Sequence, residues 1–378
     1  MINNVSVNNK ICCGCGVCES ICPQNAISIE RNKKGFLRPL VSKTCINCGL
    51  CLKSCPTDKM EQFNHNDFAY LYYGHSNNEN LRYHAASGGV TTELLSYLLS
   101  KKIVDYVIVS QNNRLQRTVN GEIIRDKEKL IKNAGSNYCP VNIGSAISQI
   151  KKNNGKCAIV CLPCVARGIE LLRKFDLDLN NKIKFIFSLV CNHVPSYNGT
   201  TYYLKKNHIR RPLLIKYRGE GWYSNIKIIT KKKTHLLPWK KFYKDVFCYN
   251  FWQESCVNCV DHFGKYADAS FGDADFIKYR YNQVDMTNHG ETMVFINNSM
   301  INNILMNMKE ERLISIFTDF SKNDVDKIFD EISQKKAFLS SPLECNYTKL
   351  LKRERRNKLK DYVRSLMMMA KRIFHKDR

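Results

Sequence analysis

Long apolar runs are absent from this 378-residue sequence. No span approaches the roughly 18 to 20 unbroken apolar residues that a membrane helix needs, which sets aside a helical channel or transporter. The opening MINNVSVNNK has neither the basic n-region nor the apolar h-region of a secretory signal, so a cytoplasmic protein is expected. Acidic residues are also scarce, 34 Asp and Glu against 59 Lys and Arg, for a formal charge of +25. That excess invites a nucleic-acid partner, yet no recognition motif or aromatic-basic platform accompanies it, and nucleic acid is the least expected partner. Much of the excess sits in one place, because residues 349–378 hold twelve Lys or Arg against three acids.

What the sequence has in quantity is cysteine, 18 in all. In a chain without an export signal these are not expected to be disulfides, and metal ligation is the leading explanation. Residues 12–23 read CCGCGVCESICP and residues 45–56 read CINCGLCLKSCP. Each is a C-x2-C-x2-C-x3-C-P run, the spacing of a bacterial two-cluster ferredoxin, in which the fourth thiolate of each run crosses to the other cubane. Cys12, Cys15, Cys18 and Cys55 are therefore expected to hold one [4Fe-4S] cluster, and Cys45, Cys48, Cys51 and Cys22 the other. A zinc ribbon would use paired knuckles with longer gaps and no repeated x3-C-P step. Cys13 falls outside the pattern and reads as a bystander thiol. Oxidised clusters on thiolates carry about two negative charges each, so two or three of them remove about four to six units of the formal charge.

Beyond residue 62 the pattern alternates. VTTELLSYLLS at 90–100 has helical spacing, and KIVDYVIVS at 102–110 reads as a buried strand. A strand at 156–160, a helix at 165–175, a strand at 182–190 and a helix at 195–206 follow. The fold class expected is an α+β two-cluster ferredoxin module fused to an α/β body with a mostly parallel or mixed sheet. The divisions expected are 1–62 for the module, 63–150 and 151–340 for the two parts of the body, and 341–378 for a basic tail. Cys164 falls at a helix start and Cys191 at a strand end, and Cys256 and Cys259 form another C-x2-C. Four such thiolates suit a third cubane, a zinc ion, or a set of buried structural thiols, and spacing alone leaves all three open.

Several segments together resemble the family of coenzyme F420 hydrogenase/dehydrogenase beta subunits. They are Ser87-Gly88-Gly89-Val90, Gly135-Ser136-Asn137-Tyr138, Pro163-Cys164, the run Cys191 to Ser196, Tyr217-Arg218 with Gly221-Trp222, and Ser255-Cys256-x-x-Cys259 with Gly272-Asp273. The sequence departs from the family pattern at Asn137, where a lysine is usual, at Cys161-Leu162 in place of Gly-Thr, and at Asn192-His193 in place of His-Gly. The resemblance implies an iron–sulfur flavoprotein that passes electrons between clusters and an organic partner through FAD. In some members that partner is coenzyme F420; relatives reduce tetrapyrroles from ferredoxin, and others sit with polysaccharide-biosynthesis functions. It implies a third cluster on Cys164, Cys191, Cys256 and Cys259. Ser87, Gly88, Gly89, Val90, Ser136, Asn137, Arg218 and Asp273 are the implied flavin contacts, and His193 is the implied proton donor. The bland readings are a plain helix start for SGG, a solvated arginine, and a structural histidine.

In the tail, Leu359, Tyr362, Val363, Leu366, Met367, Ala370, Ile373 and Phe374 follow helical spacing among Lys and Arg. Such a helix docks on the protein's own surface, on an anionic membrane face or on an acidic partner. Two functions are carried forward. One is a reductase taking electrons from ferredoxin or a similar donor to an organic substrate. The other is a non-catalytic electron-transfer subunit of a larger redox complex.

Overall fold

The computed structural model describes residues 2–8, 10–57, 68–111, 119–219, 221–222, 225–247, 251–257, 259–274 and 289–318. The tail helix expected at 359–374 lies outside the described residues.

In the first 57 residues the repeated sequence produces a repeated backbone. Gly16 and Gly49 take φ of 81° and 78°, and each opens a short helix, α1 (Val17–Ile21) and α2 (Leu50–Lys53). A side chain at either glycine would strain this left-handed start. Between them, β1 (Ile27–Arg31) and β2 (Leu37–Val41) pair antiparallel from Ile27↔Val41 to Arg31↔Leu37. The turn joining them passes through Gly35, whose φ is 83°.

The body continues with β3 (Tyr70–Ser76), α3 (Glu79–His84), α4 (Val90–Ser100), β4 (Tyr106–Ser110), β5 (Val119–Ile124), α5 (Lys127–Lys132), β6 (Val141–Asn142) and α6 (Gly144–Ile150). After these come β7 (Cys157–Cys161), α7 (Pro163–Arg173), α8 (Leu177–Lys182), β8 (Ile183–Leu189) and α9 (Tyr197–Lys206). A satellite follows, made of β9 (Pro212–Lys216), β10 (Asn225–Thr230), β11 (Thr234–Pro238) and α10 (Trp239–Val246). The chain then returns through α11 (Glu254–Val257), β12 (Ala269–Asp273), β13 (Thr292–Ile296), a helix over Ser299–Glu310 and β14 (Ile314–Phe317). Residues 63–150 and 151–340 thus feed one nine-stranded sheet, ordered β14-β3-β13-β12-β8-β7-β4-β5-β6. Its centre, β12-β8-β7-β4, is parallel, while β13, β3 and β14 on one side run antiparallel to their neighbours, and on the other side β5 is antiparallel to β4 and parallel to β6. The sheet is mixed.

Central strands buried on both faces need continuous apolar runs, and CAIVC and IKFIFSL supply them. On one face, Val90, Leu94 and Leu98 of α4 pack with Ile301 and Leu305 against Val107, Phe187 and Phe271. On the other, Ile147 and Ile169 of α6 and α7 share a core with Val5, Val17, Ile21 and Ile27 of the N-terminal module. Fully burying a side chain such as Val17 or Ile21 contributes about 1.5–3 kcal/mol, so the module is fastened to the body by its own apolar residues. The satellite sheet, ordered β11-β10-β9, closes on an aromatic core of Tyr197, Tyr203, Tyr217, Trp239 and Phe242. Lys231 to Lys233 stand exposed at the hairpin tip between β10 and β11, where the Lys233 carbonyl accepts from Thr230 N at 3.0 Å.

Candidate functional site: three thiol groups and a strand-end cavity

The thiols of the two runs gather in two places. The Cys18 thiol is raised well above its ordinary value, chiefly by burial and then by the neighbouring sulfurs of Cys12 and Cys55. Cys15 also feels Cys18, and burial pushes the Cys12 thiol up to about 12. The second group, Cys22, Cys45, Cys48 and Cys51, lines one small cavity with Ile27 and Gly49. Backbone N–H groups already point at sulfur in both places: Gly14 to Cys12 at 3.3 Å, Ala26 to Cys22 at 3.2 Å and Asn47 to Cys45 at 3.4 Å. Such donors favour the thiolate and fit iron–sulfur ligation. Each group has one buried thiol, Cys15 in the first and Cys51 in the second, and Cys48 of the second group is exposed.

A third group gathers where β8 ends and α7 begins. Pro163 occupies the first turn of α7, a position that needs no N–H, and Cys164 follows it. Its thiol is held well above its ordinary value by a hydrogen bond to Cys13, then by burial, then by Cys259 and Cys191. Cys191 N donates to the His262 carbonyl at 2.9 Å, which ties the end of β8 to the 259–264 loop. That loop is organised by buried Asp261, whose Oδ1 accepts from Gly264 N at 2.7 Å and Phe263 N at 3.1 Å. Cys256 accepts from Gln253 Nε2 at 3.6 Å, and the Cys259 thiol donates to the Asp261 carbonyl at 3.1 Å. Among the described residues, no three His, Cys, Asp or Glu converge as ligands of a single metal ion. A cubane spreads its thiolates over four iron corners and so demands a wider group.

Cys161, three residues before Cys164, belongs elsewhere. Burial alone pushes its thiol up, and it lines the large cavity. The C-x2-C sequence is therefore not a dithiol in space.

That cavity, about 570 Å³, opens at the carboxyl ends of the parallel strands, with Ser110 of β4, Cys161 of β7, Leu189 of β8 and Asp273 of β12 on its wall. Ligands of open α/β sheets bind at such strand ends, and the volume lies within the usual range for a cofactor pocket. Ser87, Gly89, Ser136, Asn137, His193, Arg218 and Asp273 all line it. Gly88 and Val90 do not: the Gly88 N–H donates to Thr292 Oγ1 at 2.9 Å, and Val90, the first residue of α4, is fully buried in the core. Asn137 spends its Nδ2 on Ser110 Oγ at 3.0 Å and the Gln111 carbonyl at 3.2 Å, bracing the end of β4.

Arg218 is 7% exposed. Its Nη1 donates to Asp273 Oδ2 at 2.6 Å and to the Tyr138 hydroxyl at 3.3 Å, while Nη2 is buried with no hydrogen-bond partner among the described residues. Burial alone would lower its basicity, but the Asp273 carboxylate outweighs that and the guanidinium stays charged. His193 stacks on Trp252 with ring centroids 3.7 Å apart and meets Phe247 edge-on at 5.1 Å.

Comparison with known proteins agrees with this layout. Residues 71–148 match the family model for the N-terminal part of the coenzyme F420 hydrogenase/dehydrogenase beta subunit, and residues 154–319 match the model for its C terminus. Residues 11–59 match a 4Fe-4S dicluster domain. The chain belongs to the family of coenzyme F420 hydrogenase/dehydrogenase beta subunits. It is 22% identical over 285 residues to the F subunit of the F(420)H(2) dehydrogenase of Methanosarcina mazei, covering 70% of this chain and 76% of that one. It is 24% identical over 221 residues to the coenzyme F420-dependent sulfite reductase of Methanocaldococcus jannaschii, covering 54% of this chain but only 34% of that protein. A chain of the F420-reducing [NiFe] hydrogenase complex from Methanosarcina barkeri shares the fold, with a TM-score of 0.51 at 17% identity, over 76% of this chain and 100% of that one.

Sequence reasoning missed several wall residues of this family member. Thr91 and Thr92 follow the SGG segment on α4, and Trp239, Lys240 and Tyr243 come from α10. Trp239 packs on Tyr138 with centroids 4.6 Å apart and lies 5.8 Å from the Arg218 guanidinium. One signal was available: Trp239 is one of three tryptophans in the chain and opens an amphipathic WKKFY.

Proposed function

We propose that this chain is an iron–sulfur electron-transfer subunit that links its N-terminal clusters, through a third cluster, to a flavin in the strand-end cavity, and works with a partner redox subunit. The observation that carries this reading is the double position of Cys191. It belongs to the third thiol group and also to the cavity wall, so the two sites share a residue. The four-iron clusters supply one-electron storage, and a flavin supplies exchange between one-electron and two-electron chemistry. Cys12, Cys15, Cys18 and Cys55, then Cys45, Cys48, Cys51 and Cys22, then Cys164, Cys191, Cys256 and Cys259 would hold the clusters.

The cavity fits a flavin on one specific ground: Arg218 Nη2 is charged, buried and unused, which suits an acceptor on an anionic ligand. In that reading α4, whose N-terminal residues Gly89 and Thr91 line the cavity, favours a phosphate, and Tyr138, Trp239 and Tyr243 supply ring surface. Asp273 holds Arg218 in place, and His193, held by Trp252, is the group nearest in type to a proton donor. The subunit reading is favoured over a self-sufficient reductase because the relatives at 70% and 76% of this chain are a dehydrogenase subunit and a chain of a hydrogenase complex. Coenzyme F420 as the organic partner rests on the names of those relatives, and a glycan-pathway substrate rests on the sequence resemblance.

Anaerobic purification with iron and flavin counted per chain tests the proposal. About twelve irons with one flavin is the expected result, and Cys191→Ser is expected to remove about four irons and weaken flavin retention. About eight irons and no flavin would refute both the third cluster and the junction.

A further inference from the structure

Positive charge is concentrated in the satellite. Residues 205–246 hold thirteen Lys or Arg against two acids, a net of eleven out of the chain's +25. One of those acids, Asp245, is spent on Lys206 at 3.0 Å. The register of the three strands gathers much of the charge at one end. β10 meets β9 at Thr230↔Pro212 and β11 at Ile229↔Thr234, so Arg210 and Arg211, which lead into β9, fall beside Lys231, Lys232 and Lys233, which join β10 to β11. All five are exposed. The same register sorts the strand side chains onto two faces. Ile215, Ile226, Ile228 and Leu237 turn inward to the aromatic core. The opposite face presents two cross-strand rows, one of Leu214, Ile229 and Thr234 and the other of Lys216, Lys227 and Leu236, with Leu236 56% exposed. Aliphatic side chains and lysines therefore share an outer face that ends in a cluster of five cations.

We propose that this face and its tip form a docking surface for an anionic lipid bilayer. A surface lies on a bilayer by sinking apolar area at the headgroup boundary and by attraction between its cations and anionic lipids, and both parts are present here. A protein partner fits less well, because lysine is depleted at protein–protein interfaces and ten of the thirteen cations are lysines. Lysine is a compact, hydrated point charge on a flexible stem, which suits a fluid layer of headgroups, whereas a fixed carboxylate is better gripped by the arginine fork. Nucleic acid also fits less well, since the two outer rows offer no aromatic ring on which a base could stack. Lysines beside aliphatic side chains can lay their stems along them and keep their ammonium groups among the headgroups. The proposal is independent of the flavin and of the third cluster.

The test is co-sedimentation of the full chain, loaded anaerobically, with vesicles of phosphatidylcholine alone or mixed with phosphatidylglycerol. The wild type is expected to sediment with the mixed vesicles, to ignore the neutral ones and to be released by salt. Lys231→Ala, Lys232→Ala and Lys233→Ala combined should weaken binding about fivefold for each lysine, on the order of a hundredfold in all, while Lys→Arg exchanges at the same positions keep it. Leu236→Ser should weaken it about tenfold. These positions are exposed, so thermal unfolding is expected to stay the same in each variant. Unchanged binding in the alanine variant overturns the proposal, because other cations of the chain then carry the attachment. Unchanged binding in Leu236→Ser overturns it too, as does equal binding to neutral vesicles. A wild type that ignores the mixed vesicles but retains duplex DNA at the same salt would assign the surface to nucleic acid instead.

Discussion

Arg218 gives up nearly all of its hydration, and only one of its terminal nitrogens recovers the loss within the chain. Replacing it with methionine leaves Asp273 without its cation. Asp273 is partly exposed and can rehydrate, so the stability cost is expected to be about 1–3 kcal/mol, read as a lowered Tm, with flavin lost on purification. Arg218→Lys keeps the charge but not the fork, so it should recover stability more than flavin retention. The opening helix-turn cysteines make a second residue-scale contrast. Cys164→Ser is expected to remove about four irons, whereas Cys161→Ser, in the cavity wall, should leave iron unchanged; equal losses from both would show that the two act as a pair. That Cys164 stands at a helix start and Cys191 just past a strand end was legible because apolar periodicity and the Pro-Cys step are local signals.

At the scale of elements, the SGG segment is a junction between strands as much as a ligand loop. A Cβ on Gly88 would stand 2.6 Å from the Gly74 carbonyl oxygen of β3 and 2.8 Å from Thr292 N of β13, both rigid backbone. Gly89, with φ of 82°, has a left-handed backbone, but a Cβ there would meet only ordinary contacts, Ser76 Cβ at 3.4 Å being the nearest. Gly89→Ala is therefore expected to cost about 1 kcal/mol, and Gly88→Ala about 1–3 kcal/mol with a disturbed cavity mouth. Thermal unfolding separates the two, and an equal cost would argue that conformation rather than the strand contact governs Gly88. The helices and strands expected at 90–110 and 156–206 are present close to their expected bounds, whereas β5, α5, β6, α6 and α8 carry no expectation from periodicity. Where the expected strand at 102–110 starts too early, the reason is local. Lys102 takes φ of 55° and closes α4 by donating to the Leu99 carbonyl, so extended structure begins only at Tyr106. β3 escaped the sequence reading because its partners, β13 and β14, lie more than 200 residues away.

For the whole molecule, the decisive feature is that the N-terminal module and the body share one core. Val5, Val17 and Ile21 pack with Ile147, Ile159 and Ile169, and the backbone of Gly16 lies against Gly144 with no room for a side chain. The sequence showed a ferredoxin-like module fused to an α/β body, without the contacts between them. Contacts across that boundary depend on complementary shape, as where Gly168 on α7 admits Val17 and Pro56, and shape carries no periodic signature. A chain lacking residues 1–57 should therefore expose a contiguous apolar face on α6 and α7, larger than a soluble monomer tolerates. The expected outcome is aggregation on size-exclusion chromatography and loss of any flavin. A monodisperse, flavin-retaining truncation would show that the body folds without the module. Gly144→Val makes the same point without deletion. It presses directly on the Gly16 carbonyl, next to Cys15, so it should loosen the first centre from the third. EPR of the reduced chain reads this as a loss of interaction between two centres at unchanged iron content, and interaction identical to wild type would place the electronic contact elsewhere than the module–body seam.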